Sequence, residues 1–273
     1  PSSKRTFSID EYLSLILRSV DAFERKNNKP IFVPLQVDLG VTDLKKILTE
    51  YQSQKYSNIW INFNAKACDN TYSARLRLLD RLLPEYLGED YILYGSHMQK
   101  DIQPQLKNPV SVASDVLPQY LGTDFVGAFR NVYRSFRPTG QSDDEIASGL
   151  GLTTPEYQNA RWQHSHRIFD PDTYYYCYPS AYPHRNVIKN IESITPGQLG
   201  LLNSIVIGHE FERVRDELLE TNMLRPILSD KRGLMDNPKL LSNILSPRQQ
   251  RSVQTTFSSS DGMDPFQFLG NIR

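Results

Sequence analysis

Two spacings of apolar residues alternate along the first half of the chain. In three segments apolar residues recur every three or four positions, which is typical of helices with one buried face. The predicted helices run from Ser8 to about Asn27, from Thr42 to about Tyr51, and from Ser73 to Leu87. Ser8 and Glu11 have the spacing of a capping box, and Gly88 follows the third helix as a stop signal.

Short apolar runs of strand length lie between and after these helices. They are Ile31–Leu39, Asn58–Phe63, Tyr91–Tyr94 and the run around Phe125, Val126 and Ala128. Because polar residues do not alternate with apolar ones in these runs, we expect strands that are buried on both faces.

Strands that recur about every 30 residues with intervening helices are typical of βαβ crossovers and a parallel sheet. We therefore predict an α/β fold that is TIM-barrel-like, in which four βα units form half of an eight-unit barrel. The predicted divisions are βα units of a partial barrel in 1–138, an aromatic loop region and last barrel helix in 139–221, and a helical or irregular tail in 222–273.

The connecting segments are predicted as follows. A short helix leads from Val110 to Tyr120 into the fourth strand, and a mobile loop spans Thr139–Gly151. A helix begins near Thr153, and a longer one spans Leu199–Thr221.

Composition limits the functional classes. The 31 basic and 31 acidic residues cancel, so any nucleic-acid binding must come from a local patch. Two cysteines are too few for a disulfide framework, and no apolar run approaches the roughly 20 residues that span a bilayer. We expect a cytoplasmic protein with no membrane partner. No dinucleotide, P-loop or serine-hydrolase motif is present, so no cofactor is predicted.

The stretch 121–137 brings charged residues next to a buried strand. Asp124 precedes the strand, and three arginines follow it among aromatic residues: Arg130, Arg134 and Arg137. Arginines and aromatic rings in this pattern are suited to phosphate contacts and base stacking. A solvated face beside ordinary core aromatics is the alternative.

Several short motifs resemble the tRNA-guanine transglycosylase family, whose TIM-barrel members exchange guanine in tRNA for a deazaguanine base. Val33-Pro-Leu-Gln36 resembles its V-P-x-Q segment, Tyr91-Ile-Leu-Tyr-Gly95 its strand-glycine pattern, and Leu121-Gly-Thr-Asp124 its L-G-x-D segment. Two further family segments are matched in spacing. Phe169-Asp-Pro171 corresponds to the D-P-x-C-x-C segment, and Asn203 followed by Val214-Arg215 corresponds to the H-N…I-R segment.

The resemblance implies a base-binding role for Gln36, Asn62 and Gly95, and it also shows departures. Gly127 stands where the family has its aspartate nucleophile, and glycine cannot form a covalent intermediate. We therefore expect base exchange to be lost, or to have moved to Asp38 or Asp124. A helix cap or a surface carboxylate is the alternative role for each of these two aspartates.

The family's zinc cage falls on four residues that cannot form a thiolate site: Thr173, Tyr175, Tyr178 and Leu202. We predict no metal. His164 and His166, with His184, have the right atom type for a metal but lack a carboxylate or thiolate pattern. The tyrosine block Tyr174–Tyr182 is predicted to pack against the barrel rather than to form a recognition surface, and Cys68 and Cys177 are predicted to be buried thiols.

The functional prediction is a transglycosylase-like protein that binds tRNA, another nucleic acid or a modified guanine base. It acts as an accessory subunit beside a homologous or catalytic partner, or, if active, as a glycosyltransferase of the base-exchange type. The alternative is a structural or interaction protein built on a barrel fragment, with no nucleic-acid substrate.

Overall fold

The structure is a computed structural model, and it describes residues 7–26, 28–102, 106, 108–128, 142–186, 188, 193–221 and 223–246. The helices and strands in the first half are α1 (Ile9–Glu24), β1 (Val33–Pro34), α2 (Val41–Ser53), β2 (Asn58–Asn62), α3 (Asn70–Leu87), β3 (Ile92–Met98), β4 (Val110–Val112) and β5 (Phe125–Ala128). Those in the second half are α4 (Asp143–Gly149), α5 (Thr154–Ser165), β6 (Ile168–Asp170), β7 (Tyr175–Cys177), α6 (Pro196–Thr221), α7 (Arg225–Leu228), α8 (Arg232–Met235) and α9 (Pro238–Leu245).

The α/β prediction is confirmed. Strands β1, β2, β3 and β5 form a parallel sheet in that order. Strands β4, β7 and β6 form a separate antiparallel sheet. Within the described ranges the parallel sheet is open, because β1 and β5 are its two edges and no barrel is closed.

The predicted helices of the first half are present because their apolar stripes are buried. In α2 this stripe is Leu44, Ile47, Leu48 and Tyr51, each fully buried. The Ser8–Glu11 capping box forms at the start of α1, and Gly88 ends α3 with a positive φ of 76°. Two helix starts were predicted wrongly, since α2 begins after Gly40 and α3 begins after Asp69, whose side chain accepts from two backbone amides.

The prediction that the strands are buried on both faces was wrong. In β2 the buried Ile59 and Ile61 alternate with the half-buried Trp60 and the exposed Asn62. The first strand is also shorter than predicted, although the Leu35 amide still donates to the Trp60 carbonyl at 2.7 Å. The apolar runs misled the prediction because large apolar side chains also lie on the second face, where Trp60 stands between Asn58 and Asn62.

Two connecting segments also differ from the prediction. The segment from Val110 to Tyr120 is not one helix but β4 followed by a 3₁₀ turn at Pro118–Leu121, since β-branched Val110 and Val112 pair with β7. Within the predicted loop Thr139–Gly151, the described part forms α4, which a capping box between Ser142 and Glu145 starts.

The second half packs on the first through the antiparallel sheet and the C-terminal helices. The Arg77 guanidinium of α3 donates to the carbonyls of Asn243 at 2.6 Å and Ile244 at 2.8 Å, which fixes α9 against α3. The predicted long helix is confirmed as α6, and Asn203 on it binds the backbone of the residues at β6. None of the described helices is long and apolar enough to cross a membrane.

Candidate functional site at the carboxyl ends of the parallel strands

The carboxyl ends of the four parallel strands are where α/β sheets bring polar side chains together. Gln36 and Asp38 follow β1, Asn62 ends β2, Ser96 lies near the end of β3, and Gly127 lies near the end of β5. We call this edge of the sheet the carboxyl rim. It contains three of the residues that the sequence pointed to: Gln36, Asp38 and Asn62.

The sheet has one covered face and one open face. The covered face carries Val33, Ile59 and Leu93, which are paired in register and buried under the helices. Register partners in a parallel sheet point to the same side. The opposite side, which we call the open face, therefore carries a row of paired residues across the sheet: Pro34, Trp60, Tyr94 and Phe125.

Most of this row is accessible to solvent. The Phe125 side chain is 57% exposed, and Trp60 and Tyr94 are half-buried. Phe32, two residues before Pro34, packs edge-on against Tyr94 with ring centroids 5.9 Å apart. Exposed aromatic rings in a row offer flat surfaces on which a planar ligand can stack.

A second row, which we call the polar row, lies within the carboxyl rim, two residues further along each strand than the aromatic row. It consists of Asn62, Ser96 and Gly127, which are register partners. A side chain at Gly127 would place its Cβ 2.7 Å from the Tyr94 hydroxyl, so glycine leaves room for that hydroxyl. The position that the resemblance assigns to the missing nucleophile therefore lies next to Ser96 on the open face.

Ser96 makes two polar contacts at the carboxyl rim. Its hydroxyl accepts a hydrogen bond from the Trp60 indole at 2.6 Å and lies 2.9 Å from Nδ1 of His97. Either Ser96 or His97 can be the donor in this second contact, because the role of Nδ1 depends on which ring nitrogen of His97 carries the proton. Sequence reasoning missed this pair, although Gly95-Ser96-His97 interrupts an apolar strand run at its carboxyl end.

Backbone strain concentrates at the same place. Asn64, Ala65 and His97 have positive φ values of 51°, 58° and 55°, a region that non-glycine residues rarely adopt. The Ala65 amide donates to the His97 carbonyl at 2.8 Å, and the pairing of β3 with β5 is irregular between Ser96 and Met98. Strain of this kind costs about 1–3 kcal/mol per residue and is found preferentially at functional sites.

Asp38 lies at the carboxyl rim after β1 and forms a salt bridge there. Its Oδ2 lies 3.2 Å from Lys66 Nζ and 3.2 Å from the Tyr72 hydroxyl. Hydrogen bonds to Tyr72 and Asp38 raise the pKa of Lys66, and burial is the main cause of a raised pKa at Tyr72. Asp38 is therefore a salt-bridged carboxylate that remains exposed to solvent.

The structure does not bring Asp38 and Asp124 together. Asp124 precedes β5, so it lies at the amino ends of the strands, where its carboxylate accepts the Leu93 amide at 2.7 Å. Gly95 is also separated from the open face, since a Cβ there would lie 3.0 Å from the Phe63 ring in the core. Arg130, Arg134 and Arg137 lie outside the described residues.

The positions of the family's zinc cage have other partners. The Thr173 hydroxyl donates to Asp170 at 2.5 Å, and the hydroxyls of Tyr175 and Tyr178 donate to Asp236 and to the Leu106 carbonyl. The nearby Cys177 is buried, which raises the pKa of its thiol to about 12 and keeps it protonated. The prediction of buried thiols at Cys68 and Cys177 is confirmed.

The tyrosine block packs into the interior. Tyr174 and Tyr176 are buried, and their hydroxyls bind Glu210 at 2.7 Å and Asp115 at 2.8 Å. The block is partly regular, because it contains β7. His166 stacks on Trp162 with ring centroids 4.5 Å apart, so it is held by its own helix.

No protein-family model, curated protein or solved structure matches the chain significantly. The transglycosylase resemblance therefore remains a prediction from the sequence motifs.

Proposed function

We propose that this protein is transglycosylase-like and binds a modified guanine base or the nucleic acid that carries it, with the carboxyl rim and the open face as its binding surface. In this proposal the four βα units are half of a TIM-barrel wall. The consecutive order of the parallel strands supports that reading, because neighbours in sequence are also neighbours in such a barrel.

One observation carries the proposal: the aromatic row on the open face lies next to the polar row at the carboxyl rim. Trp60 and Tyr94 present ring surfaces on which a nucleobase can stack. The Asn62 side-chain oxygen accepts the Asn64 amide at 2.9 Å, which orients the amide group so that its donors can meet the edge of a base stacked on the neighbouring rings. This pairing of flat apolar surface and fixed polar groups is typical of ligand sites.

The same geometry bears on activity. Gly127 supplies no nucleophile, and Asp124 lies at the amino ends of the strands. Of the two aspartates predicted from the sequence, Asp38 is the one that lies at the carboxyl rim with Asn62. Binding without exchange, as an accessory subunit of a catalytic partner, is therefore the form of the function that we propose. If the protein is active, base exchange is expected to depend on Asp38.

Base exchange and binding are tested separately. Incubation with labelled guanine and tRNA measures exchange, and filter binding of tRNA over a series of salt concentrations measures affinity. We expect saturable binding that Asn62→Ala weakens and that Asn58→Ala leaves unchanged, because Asn58 is the same residue type at the amino end of the same strand. Equal effects of the two substitutions would contradict a site at the carboxyl rim.

An interaction protein on a barrel-fragment scaffold is the second candidate. The observation that favours it is the 57% exposure of Phe125 on β5, an edge strand of the described sheet. Exposed apolar patches and unpaired strand edges are typical of protein-protein contacts. If Phe125→Ser abolished a partner contact while no base or nucleic acid bound, this candidate would replace the first.

A further inference from the structure

A group of three metal-ligating side chains lies outside the carboxyl rim, at the turn between β6 and β7. Asp170 ends β6, Asp172 lies in the following turn, and His184 returns to this turn after the 3₁₀ turn at Pro179–Ala181. One ligand atom from each of the three lies within 4.8 Å of the other two. His184 Nε2 lies 3.2 Å from Asp172 Oδ2.

This separation suits two ligands of a single ion. Ligand atoms about 2.0–2.2 Å from a metal are roughly 3 Å from each other when they occupy neighbouring coordination positions. Asp172 and His184 are exposed, so rotation of their side chains can bring the three ligand atoms closer together. Asp170, by contrast, is held in place in the interior.

The charge of Asp170 gives a second and independent argument. Its side chain is fully buried, and its two hydrogen-bond donors, the Asp172 amide at 3.2 Å and the Thr173 hydroxyl at 2.5 Å, are both neutral. Among the described residues no lysine or arginine nitrogen lies within 4.0 Å of the carboxylate of Asp170 or of Asp172. A buried carboxylate without a counter-charge is costly, and a divalent cation at this position would supply the charge.

The neighbouring lysine does not fill this role. Lys231 is buried close by, but its ammonium donates to the Pro171 carbonyl at 2.8 Å and lies 3.7 Å from Glu210. The ammonium of Lys231 is therefore paired with the carboxylate of Glu210 and not with that of Asp170. The local charge of the cluster stays negative when His184 is neutral.

We propose that Asp170, Asp172 and His184 bind one divalent first-row transition-metal cation such as Zn²⁺ or Mn²⁺. Two carboxylates and one imidazole form a mixed oxygen and nitrogen set that suits these ions better than Mg²⁺, which prefers oxygen ligands alone. Three protein ligands leave further coordination positions for water or a substrate oxygen. The set shares no residue with the cage that the resemblance implied at Thr173, Tyr175, Tyr178 and Leu202.

Titration with Co²⁺ tests the site directly, because the visible absorption of Co²⁺ reports its coordination. We expect one equivalent of Co²⁺ to bind the full chain, Zn²⁺ to displace it, and excess Mg²⁺ to leave it bound. His184→Gln and Asp172→Asn should each weaken binding roughly tenfold or more, because each removes one ligand. Both side chains are exposed, so neither substitution is expected to impair folding.

The matched control is His209→Gln. His209 Nδ1 lies 3.6 Å from Glu212 on the surface of α6, and it forms the same kind of histidine–carboxylate pair without a buried third carboxylate. Binding should survive this change. Absence of stoichiometric Co²⁺ binding overturns the proposal, and so does binding that His184→Gln and Asp172→Asn leave unchanged or that His209→Gln weakens to the same degree.

Discussion

The stability of the fold is expected to depend on pH through one buried carboxyl group, Asp115. Its side chain is 7% exposed and accepts hydrogen bonds from the Tyr176 hydroxyl at 2.8 and 3.0 Å. Lys100 Nζ lies 3.9 Å from the centroid of the Tyr176 ring. Burial raises the pKa of Asp115 to about 7, against the opposing effects of Lys100 and Tyr176, and burial lowers the pKa of Lys100 to about 8.

The sign of the effect follows from proton uptake. Between about pH 4 and pH 7 the folded chain holds a proton on Asp115 that the unfolded chain has released, so raising the pH favours unfolding. The two pKa values are about 7 and 3.8, and a tenfold change in proton affinity is worth about 1.4 kcal/mol. Asp115 therefore lowers the free energy of unfolding by about 4 kcal/mol across this range.

Lys100 acts in the opposite sense at higher pH. Above about pH 8 its folded form releases a proton that the unfolded chain keeps up to about pH 10.5, so the fold gains stability as the pH rises. The two groups together place a minimum of stability between about pH 7 and pH 8.

Urea unfolding of the wild type and of Asp115→Asn at a series of pH values measures the effect of Asp115. The free energy of unfolding should fall more steeply in the wild type than in the variant between about pH 4 and pH 7. Asp90→Asn, at an exposed position, is the control that should follow the wild type. An equal decline in the wild type and Asp115→Asn would refute the reasoning.

Two further substitutions test the packing, with unfolding free energy as the measurement. Gly122→Ala should destabilise the fold by about 1–3 kcal/mol, because φ is 91° and a Cβ would lie 2.5 Å from an Asp80 oxygen. Gly149→Ala, at a helical position without a positive φ and with nothing within 4 Å, should cost less, and equal costs would contradict the assigned strain and contact at Gly122. Leu44→Ala should destabilise the fold by about 2–5 kcal/mol, because Leu44 is fully buried. Leu15 is 50% exposed, so Leu15→Ala should change the free energy of unfolding by about 0.5 kcal/mol or less. Comparable losses in the two variants would contradict the assigned core.

The helices could be predicted from the sequence because helical periodicity and burial coincide. In α2, the spacing of Leu44, Ile47, Leu48 and Tyr51 describes the same stripe that the structure buries. The parallel order of the sheet was predictable for a related reason, since a helix between consecutive strands favours a crossover that returns in the same direction.

The open face could not be predicted, because apolar residues do not reveal which side of a strand is covered. Trp60, Tyr94 and Phe125 look like core residues in the sequence, yet they lie on the side that is half-buried or exposed. The error at Val110–Tyr120 has a different cause. Pairing of β4 with β7 is a contact between distant segments, and local spacing carries no signal for it.

The candidate site could be predicted in part. Gln36 and Asn62 were identified from motif resemblance and lie at the carboxyl rim. Asp124 lies at the opposite end because a residue that precedes a parallel strand belongs to its amino end. Ser96 and His97 were missed, since their hydrogen bond and the positive φ of His97 arise from the bulged end of β3.

Stacking of a base on Trp60 tests the central claim most directly. The chain has two tryptophans, so Trp162→Phe leaves Trp60 as the sole indole fluorophore. Titration of this variant with 7-deazaguanine should quench the fluorescence in a saturable manner, and an added Asn62→Ala should weaken that binding. Failure of the base to produce a saturable change, or an equal response after Asn62→Ala, would contradict a base-binding site on the open face.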